Sequence, residues 1–268
     1  MKLKVIVFII LSLVIKTSFA SEESVRHKQA ETAFLSGDVK KGLELATPNV
    51  KKLYAPTLNL MATVFEAMGE IELSFDYYLL AAEQGHSDSQ FKVGMMYRNG
   101  DGTPVDHDMA LNWLKKAAYS GIHEAQFNVA LAYDFGRGVT QNKQQAFYWY
   151  KESAKGGVDL AQNNLAEMYR EGVDIEKNLE EAARWYKKAA WQNYSPSQLK
   201  LAMAYFQGSG VYINKVESYA WILLASEQGL DMAIKLLELM NDSFSSMDTS
   251  LGKLRALEIK AEIAEKKN

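Results

Sequence analysis

Apolar and polar positions follow a helical period through most of the chain, and short glycine-bearing breaks interrupt it at even intervals. Within residues 122–157, Ala125, Val129, Ala132 and Tyr133 fall at i, i+4, i+7 and i+8, one stripe of a helix. Gly136-Arg137-Gly138-Val139 stops that helix, since glycine enters positive φ without a Cβ penalty. Asn142 then stands where a second helix needs an acceptor for its free N–H groups. Ala146, Trp149, Tyr150 and Ser153 form the stripe of that second helix. Gln145, Glu181 and Glu217 lie three residues after their caps, which predicts capping boxes, and Met109 breaks that pattern.

The block recurs. Trp113, Trp149, Trp185 and Trp221 are 36 residues apart, as are Tyr97, Tyr133, Tyr169 and Tyr205. Gly100, Gly136, Gly172 and Gly208 form a third column, and Asp106, Asn142, Asn178 and Asn214 a fourth. Four columns in one register define four units, 86–121, 122–157, 158–193 and 194–229. Gly121, Gly157 and Gly229 close three of them, with Asn193 in the same place in the other. Residues 54–85 make a shorter unit that keeps the tail Ala81-Ala82-Glu83-Gln84-Gly85 and lacks the glycine-rich middle. A single helix pair cannot bury its Trp and Tyr, so the pairs are expected to stack, with the aromatic columns as core.

The pattern Ala-x-x-x-Leu-Gly-x-x-Tyr-x-x-Gly-x-Gly-Val-x-x-Asn/Asp-x-x-x-Ala-x-x-Trp-x-x-x-Ala-Ala-x-x-Gly, carried from Ser89 to Gly229, resembles the Sel-one-like repeat (SLR) family, relatives of the tetratricopeptide repeats. The resemblance implies an all-α fold, a right-handed superhelical solenoid of antiparallel helix pairs that holds other macromolecules together, and no reaction. Three positions depart from it. Asp174 stands in place of the second loop glycine, which predicts a different loop there; Ser218 replaces a helix Ala, and Thr103 a loop Val.

The flanks read separately. Residues 1–20 have a lysine-bearing start, an apolar run from Val5 to Ile15 and small residues at Ser18 and Ala20, the layout of a signal peptide cleaved after Ala20. The chain is therefore expected to be secreted or periplasmic. Residues 21–53 read as a capping helix pair, Ala30 to Leu35 and Val39 to Ala46. Residues 230–268 read as C-terminal capping helices, Asp231 to Met240 and then a helix marked by Leu251, Leu254, Leu257 and Ala261 with Lys and Glu outside.

Composition narrows the chemistry. The chain has 268 residues and no cysteine, which excludes disulfides, thiol catalysis and Cys-based zinc sites. The net charge is −3, and −6 once residues 1–20 are removed with their three lysines, so nothing argues for nucleic acid. His27, His86, His107 and His123 do not recur at the repeat period, and no His-Glu-x-x-His, phosphate-loop or Gly-x-Ser-x-Gly motif is present. Asp101, Asp106, His107 and Asp108 cluster around one loop without calcium-loop spacing. No catalytic residue, cofactor or metal is assigned.

A surface is what remains. On the first helix of each unit, facing away from the Tyr stripe, are Lys92, Met95 and Asn99; Asn128, Leu131 and Phe135; Asn164, Glu167 and Glu171; and Lys200, Met203 and Gln207. These positions change from unit to unit while the columns stay constant, which suits a groove for a protein segment. Met95, Leu131 and Met203 serve equally as groove contacts or as packing against the next helix. The sequence thus predicts a monomeric, non-catalytic scaffold, adaptor or regulator that binds an envelope or membrane protein. A second reading is a binder of cell-wall or exported polysaccharide, with Phe135, Phe206 and Trp191 stacking on sugars. A third, a hydrolase, has no motif and no placeable carboxylate pair behind it.

Overall fold

A computed structural model of the chain describes residues 54–266 without a break and, before them, 29, 32, 33, 36 and 38–46. The expected signal peptide and most of the expected 21–53 cap lie outside the described residues. The chain divides into two compact units, Met1–Ile122 and His123–Asn268. The first carries α1 (Val39–Ala46), α2 (Ala55–Met68), α3 (Ile71–Glu83), α4 (Ser87–Asn99) and α5 (His107–Tyr119). The second carries α6 (His123–Phe135), α7 (Lys143–Lys155), α8 (Asp159–Glu171), α9 (Leu179–Trp191), α10 (Ser195–Gln207), α11 (Lys215–Glu227), α12 (Asp231–Met240), a 3-10 turn (Asn241–Ser243) and α13 (Ser246–Glu265). The described residues contain no strand. In the first unit α2 pairs with α3 and α4 with α5, and α3 packs on α4. In the second, α6–α7, α8–α9 and α10–α11 are helix pairs; α7 packs on α8, α9 on α10, and α11 on both α12 and α13. The architecture is the all-α stack of helix pairs that the periodicity predicts.

The loops are built by backbone chemistry that recurs. Asp106, Asn142, Asn178 and Asn214 are extended N-caps whose side chains accept from the N–H three residues on. The expected capping boxes do not form at Gln145, Glu181 and Glu217. The cap's own N–H, which a capping box needs, already donates to the Tyr carbonyl of the preceding helix: Asn142 to Tyr133, Asn178 to Tyr169, Asn214 to Tyr205. The Glu217 carboxylate instead takes the Trp221 indole N–H at 3.0 Å and Arg255 at 2.8 Å. A capping box does close α13, between Ser245 and Asp248.

The loop at Asp174 corrects a second expectation. Its φ of 58° matches Gly102, Gly138 and Gly210 at 68°, 67° and 73°, so the turn is retained and Asp, one of the few residues that tolerate this region, occupies it. Gly210 has no such latitude, because a Cβ there would lie 1.9 Å from the Leu179 carbonyl oxygen.

Trp113, Trp149, Trp185 and Trp221 are buried, at 7% exposure or less. The Tyr column is half-buried, and two of its members pack edge-on against the preceding helix pair, Tyr97 on Phe75 and Tyr169 on Phe147, each with centroids 5.2 Å apart. A further column, Gln90, Gln126, Gln162 and Gln198, is buried as well. In the second unit the Gln162 and Gln198 amides donate to Ala154 and Ala190, carbonyls in the last turns of the preceding helices, and accept from Gln192 and Gln228. Both carbonyls also accept a backbone N–H, from Gly157 and Asn193, so the glutamine amides gain their own partners inside the core and tie one helix pair to the next.

The C-terminal helix departs from the sequence reading. α13 buries Gly252, Ala256, Ile259 and Ile263, whereas Leu251, Leu254, Leu257 and Ala261 are exposed. Gly252 allows the contact, since a Cβ there would meet the Tyr219 ring at 2.7 Å. The expected polar exterior is therefore partly apolar.

Candidate partner-binding surface

In the first unit, Lys92 and Met95 are half-buried on α4 and Asn99 is exposed. Lys92 is paired with Glu66 at 3.1 Å, and Asn99 donates to Asp101. Glu66 also accepts from the Tyr78 hydroxyl, whose pKa burial pushes up to about 12. Lys92 thus reaches the neighbouring helix pair through a part-exposed ion pair.

In the second unit the chosen positions divide three ways. Asn128 is buried at 8% exposure, and its amide donates to the Glu124 carbonyl at 2.7 Å, so it does not belong to a contact surface. Leu131, Asn164 and Met203 are half-buried. Phe135, Glu171 and Gln207 are exposed, Phe135 at 59% with the Arg137 guanidinium 5.4 Å from its ring centroid.

Polar bridges join these helices. The Tyr150 hydroxyl donates to Asp134 on α6 at 3.0 Å and is also reached by Asn164 on α8. Lys143 holds the same Asp134 carboxylate. On α8, Glu167 is bound by Arg170 and, across to α10, by Lys200 at 3.1 Å. Burial pushes the Glu167 carboxyl up, but Arg170, Tyr186 and Lys200 outweigh it and hold it below the ordinary carboxylate range. Burial, reinforced by Asp134 and Glu167 respectively, raises the Tyr150 and Tyr186 hydroxyls well above the usual phenol value. The resulting face runs from apolar at Leu131 and Phe135, through acidic at Glu167 and Glu171, to mixed at Lys200, Met203 and Gln207. Its charges are largely paired internally, so the apolar end is where a partner gains most.

The aromatic set proposed for sugars does not assemble. Phe135 is exposed, but Trp191 packs edge-on against Trp221 at 5.4 Å with Lys266 over its ring, and Phe206 packs on Phe244 at 5.9 Å. The sequence reading missed a recess of about 800 Å³ lined by Glu180, Tyr205, Val211, Ile213 and Asn214, with Tyr212 96% exposed beside it. Its signal was the apolar Tyr212-Ile213 in the loop of the last unit. Among the described residues no group of three or more His, Asp or Glu is placed to hold a metal. Asp106 caps α5. No described helix is long and apolar enough to cross a membrane.

The curated mouse protein DAP3-binding cell death enhancer 1 is 33% identical over 73 residues, 26% of this chain and 14% of that protein. Among solved structures, c5321, described as a protective antigen of uropathogenic Escherichia coli with an SLR fold, superposes with a TM-score of 0.71 at 25% identity over 96% of this chain. A Sel1 repeat protein from Oxalobacter formigenes superposes with a TM-score of 0.64 at 26% identity over 83%. The chain spans 56% and 66% of those two proteins. The Sel1 repeat model matches residues 70–86, 87–122, 123–158, 159–194 and 195–230, more than half of the sequence, in the register of the glycine, tyrosine and tryptophan columns. With these columns, caps and helix pairs, the chain belongs to the Sel1-repeat family.

Proposed function

We propose that the protein is a non-catalytic scaffold of the bacterial cell envelope that binds a segment of another envelope or membrane protein along α6, α8 and α10. Sel1-repeat proteins are generally protein-interaction scaffolds, which supports the interaction class. The observation that carries the surface is the apolar end, where Phe135 is exposed and Leu131 half-buried beside a constant core, on helices whose other outward residues change at each step. The location rests on the leader-like residues 1–20. The polysaccharide reading is weaker, because Trp191 and Phe206 are engaged in packing.

Pull-down from envelope extracts tests it, with wild type set against Leu131→Arg/Phe135→Glu. The expected result is a partner retained by wild type and lost by the variant, with unchanged helicity by circular dichroism. Identical partner lists would remove this surface. Binding to purified peptidoglycan that survives the double substitution would favour the glycan reading.

A further inference from the structure

The exposed face of α13 is a heptad seam. With Met247 as position a, the a positions are Met247, Leu254 and Ala261, and the d positions are Ser250, Leu257 and Ala264. All six are exposed, Met247 at 70%, Leu254 at 58% and Leu257 at 64%. The residues buried against the body of the unit, Gly252, Ala256, Ile259 and Ile263, occupy positions c and f on the opposite side. One helix thus carries two apolar seams, and only the inner one is covered.

The flanks of the open seam say what covers it. Positions g are Ser246, Lys253 and Lys260, and positions e are Leu251, Glu258 and Glu265, so the charged flanks belong to the last two heptads. In a parallel pair of identical helices each g residue meets the e residue of the next heptad across the seam. That sets Lys253 against Glu258, and Lys260 against Glu265, twice each. In an antiparallel pair g meets g and e meets e, so lysine would face lysine and glutamate would face glutamate. From this seam and its charges we infer that α13 pairs with α13 of a second copy of the chain, in parallel and about a two-fold axis along the helices.

The local structure suits that pairing. Lys253 and Glu265 have no ion-pair partner among the described residues. Lys260 and Glu258 touch Glu227 and Arg255 only through exposed contacts of 3.1 Å and 3.0 Å, which are worth little and are easily shared. The helix is already held by its inner seam, by Arg255 on Glu217 and by Lys266 over Trp191, so pairing need not nucleate it. The inner and outer seams lie on opposite sides, so the bodies of the two copies point away from each other. Ser250, Ala261 and Ala264 are small enough for close approach. A seam of about 27 Å covers less than about 1,200 Å², which implies a dimer in the micromolar range. This replaces the expectation of a monomer, and it stands or falls independently of the α6–α10 surface.

The test is sedimentation velocity of the purified full chain over a concentration series, with cross-linking of single-cysteine variants. The chain has no cysteine of its own, so each variant reports one position. Ser250→Cys and Ala261→Cys are each expected to form a covalent dimer under mild oxidation, since equal a and d positions of parallel helices come within disulfide reach. Glu262→Cys, at position b, is the control and should stay monomeric. Lys253→Glu/Lys260→Glu and Glu258→Lys/Glu265→Lys should each weaken self-association at least tenfold, and an equimolar mixture should restore it. Circular dichroism of each variant monomer reports folding separately. A wild-type chain that is monomeric throughout would overturn the inference, as would cross-linking no better than the control. A seam whose substitution costs an envelope partner while the chain alone stays monomeric would assign it to a foreign helix.

Discussion

At the scale of single residues, backbone geometry ranks positions that look equivalent in sequence. Gly210 and Asp174 occupy the same turn at φ of 73° and 58°, yet their surroundings differ. Gly210→Ala drives a Cβ into the Leu179 carbonyl and adds left-handed strain, and is expected to cost at least ~2 kcal/mol. Asp174→Gly removes the strain of a non-glycine residue, against a larger loss of unfolded-chain entropy, and should fall within ~1 kcal/mol of wild type. Urea denaturation of both variants checks the ranking; equal effects would mean that the close approach at residue 210 does not matter. The buried glutamines make a related point. Their 36-residue spacing was visible all along, but a polar column reads as solvent-facing until its amides are seen bonded to the carbonyls of Ala154 and Ala190 between helix pairs.

At the scale of elements, the repeat helices follow their sequence patterns and α13 does not. Within a repeat, the glycine break, the Asn or Asp cap and the Trp column each point to one orientation of the helix. α13 has two apolar stripes on opposite sides, Gly252/Ala256/Ile259/Ile263 and Met247/Leu254/Leu257, and periodicity alone favours the one richer in leucine. Packing on Tyr219 and α11 selects the other. Ile259→Ala, at 0% exposure, is therefore expected to cost ~2–4 kcal/mol, and Leu257→Ala less than ~0.5 kcal/mol in the monomer. Chemical denaturation at concentrations below self-association separates them, and the reverse order would restore the leucine stripe to the core.

At the scale of the whole molecule, the tyrosines set the behaviour in alkali. Tyr78, Tyr150 and Tyr186 all have hydroxyls raised above the ordinary value of 10.0 by burial, Tyr78 to about 12. The folded chain holds these protons more tightly than the unfolded chain, so their contribution is fully present below pH 10 and falls as pH rises through the folded values. Thermal melts should be insensitive to these groups at neutral pH and drop progressively above pH 10, with tyrosinate absorbance appearing together with loss of helicity. Tyrosinate appearing near its ordinary value in a chain that remains helical would show that these hydroxyls are not desolvated.

The sequence by itself determined the helix pairs, their 36-residue register, the capping residues and the tryptophan core, because each is set by residues within one repeat and then stated four times over. Tertiary structure decided what depends on a neighbour. The Asn142, Asn178 and Asn214 N–H groups go to tyrosine carbonyls, which removes the expected capping boxes. Asn128 is buried although Lys92, Asn164 and Lys200, at the same place in the pattern, are only half-buried. Lys92 and Lys200 each reach an acid on another helix, Glu66 and Glu167, through part-exposed ion pairs. The outer face of α13 became visible only once its inner face had been chosen. The physical reason is the same in each case: spacing along a chain specifies which side chains share a helix face, and only the packed neighbour specifies which face, and which polar group, is taken out of water.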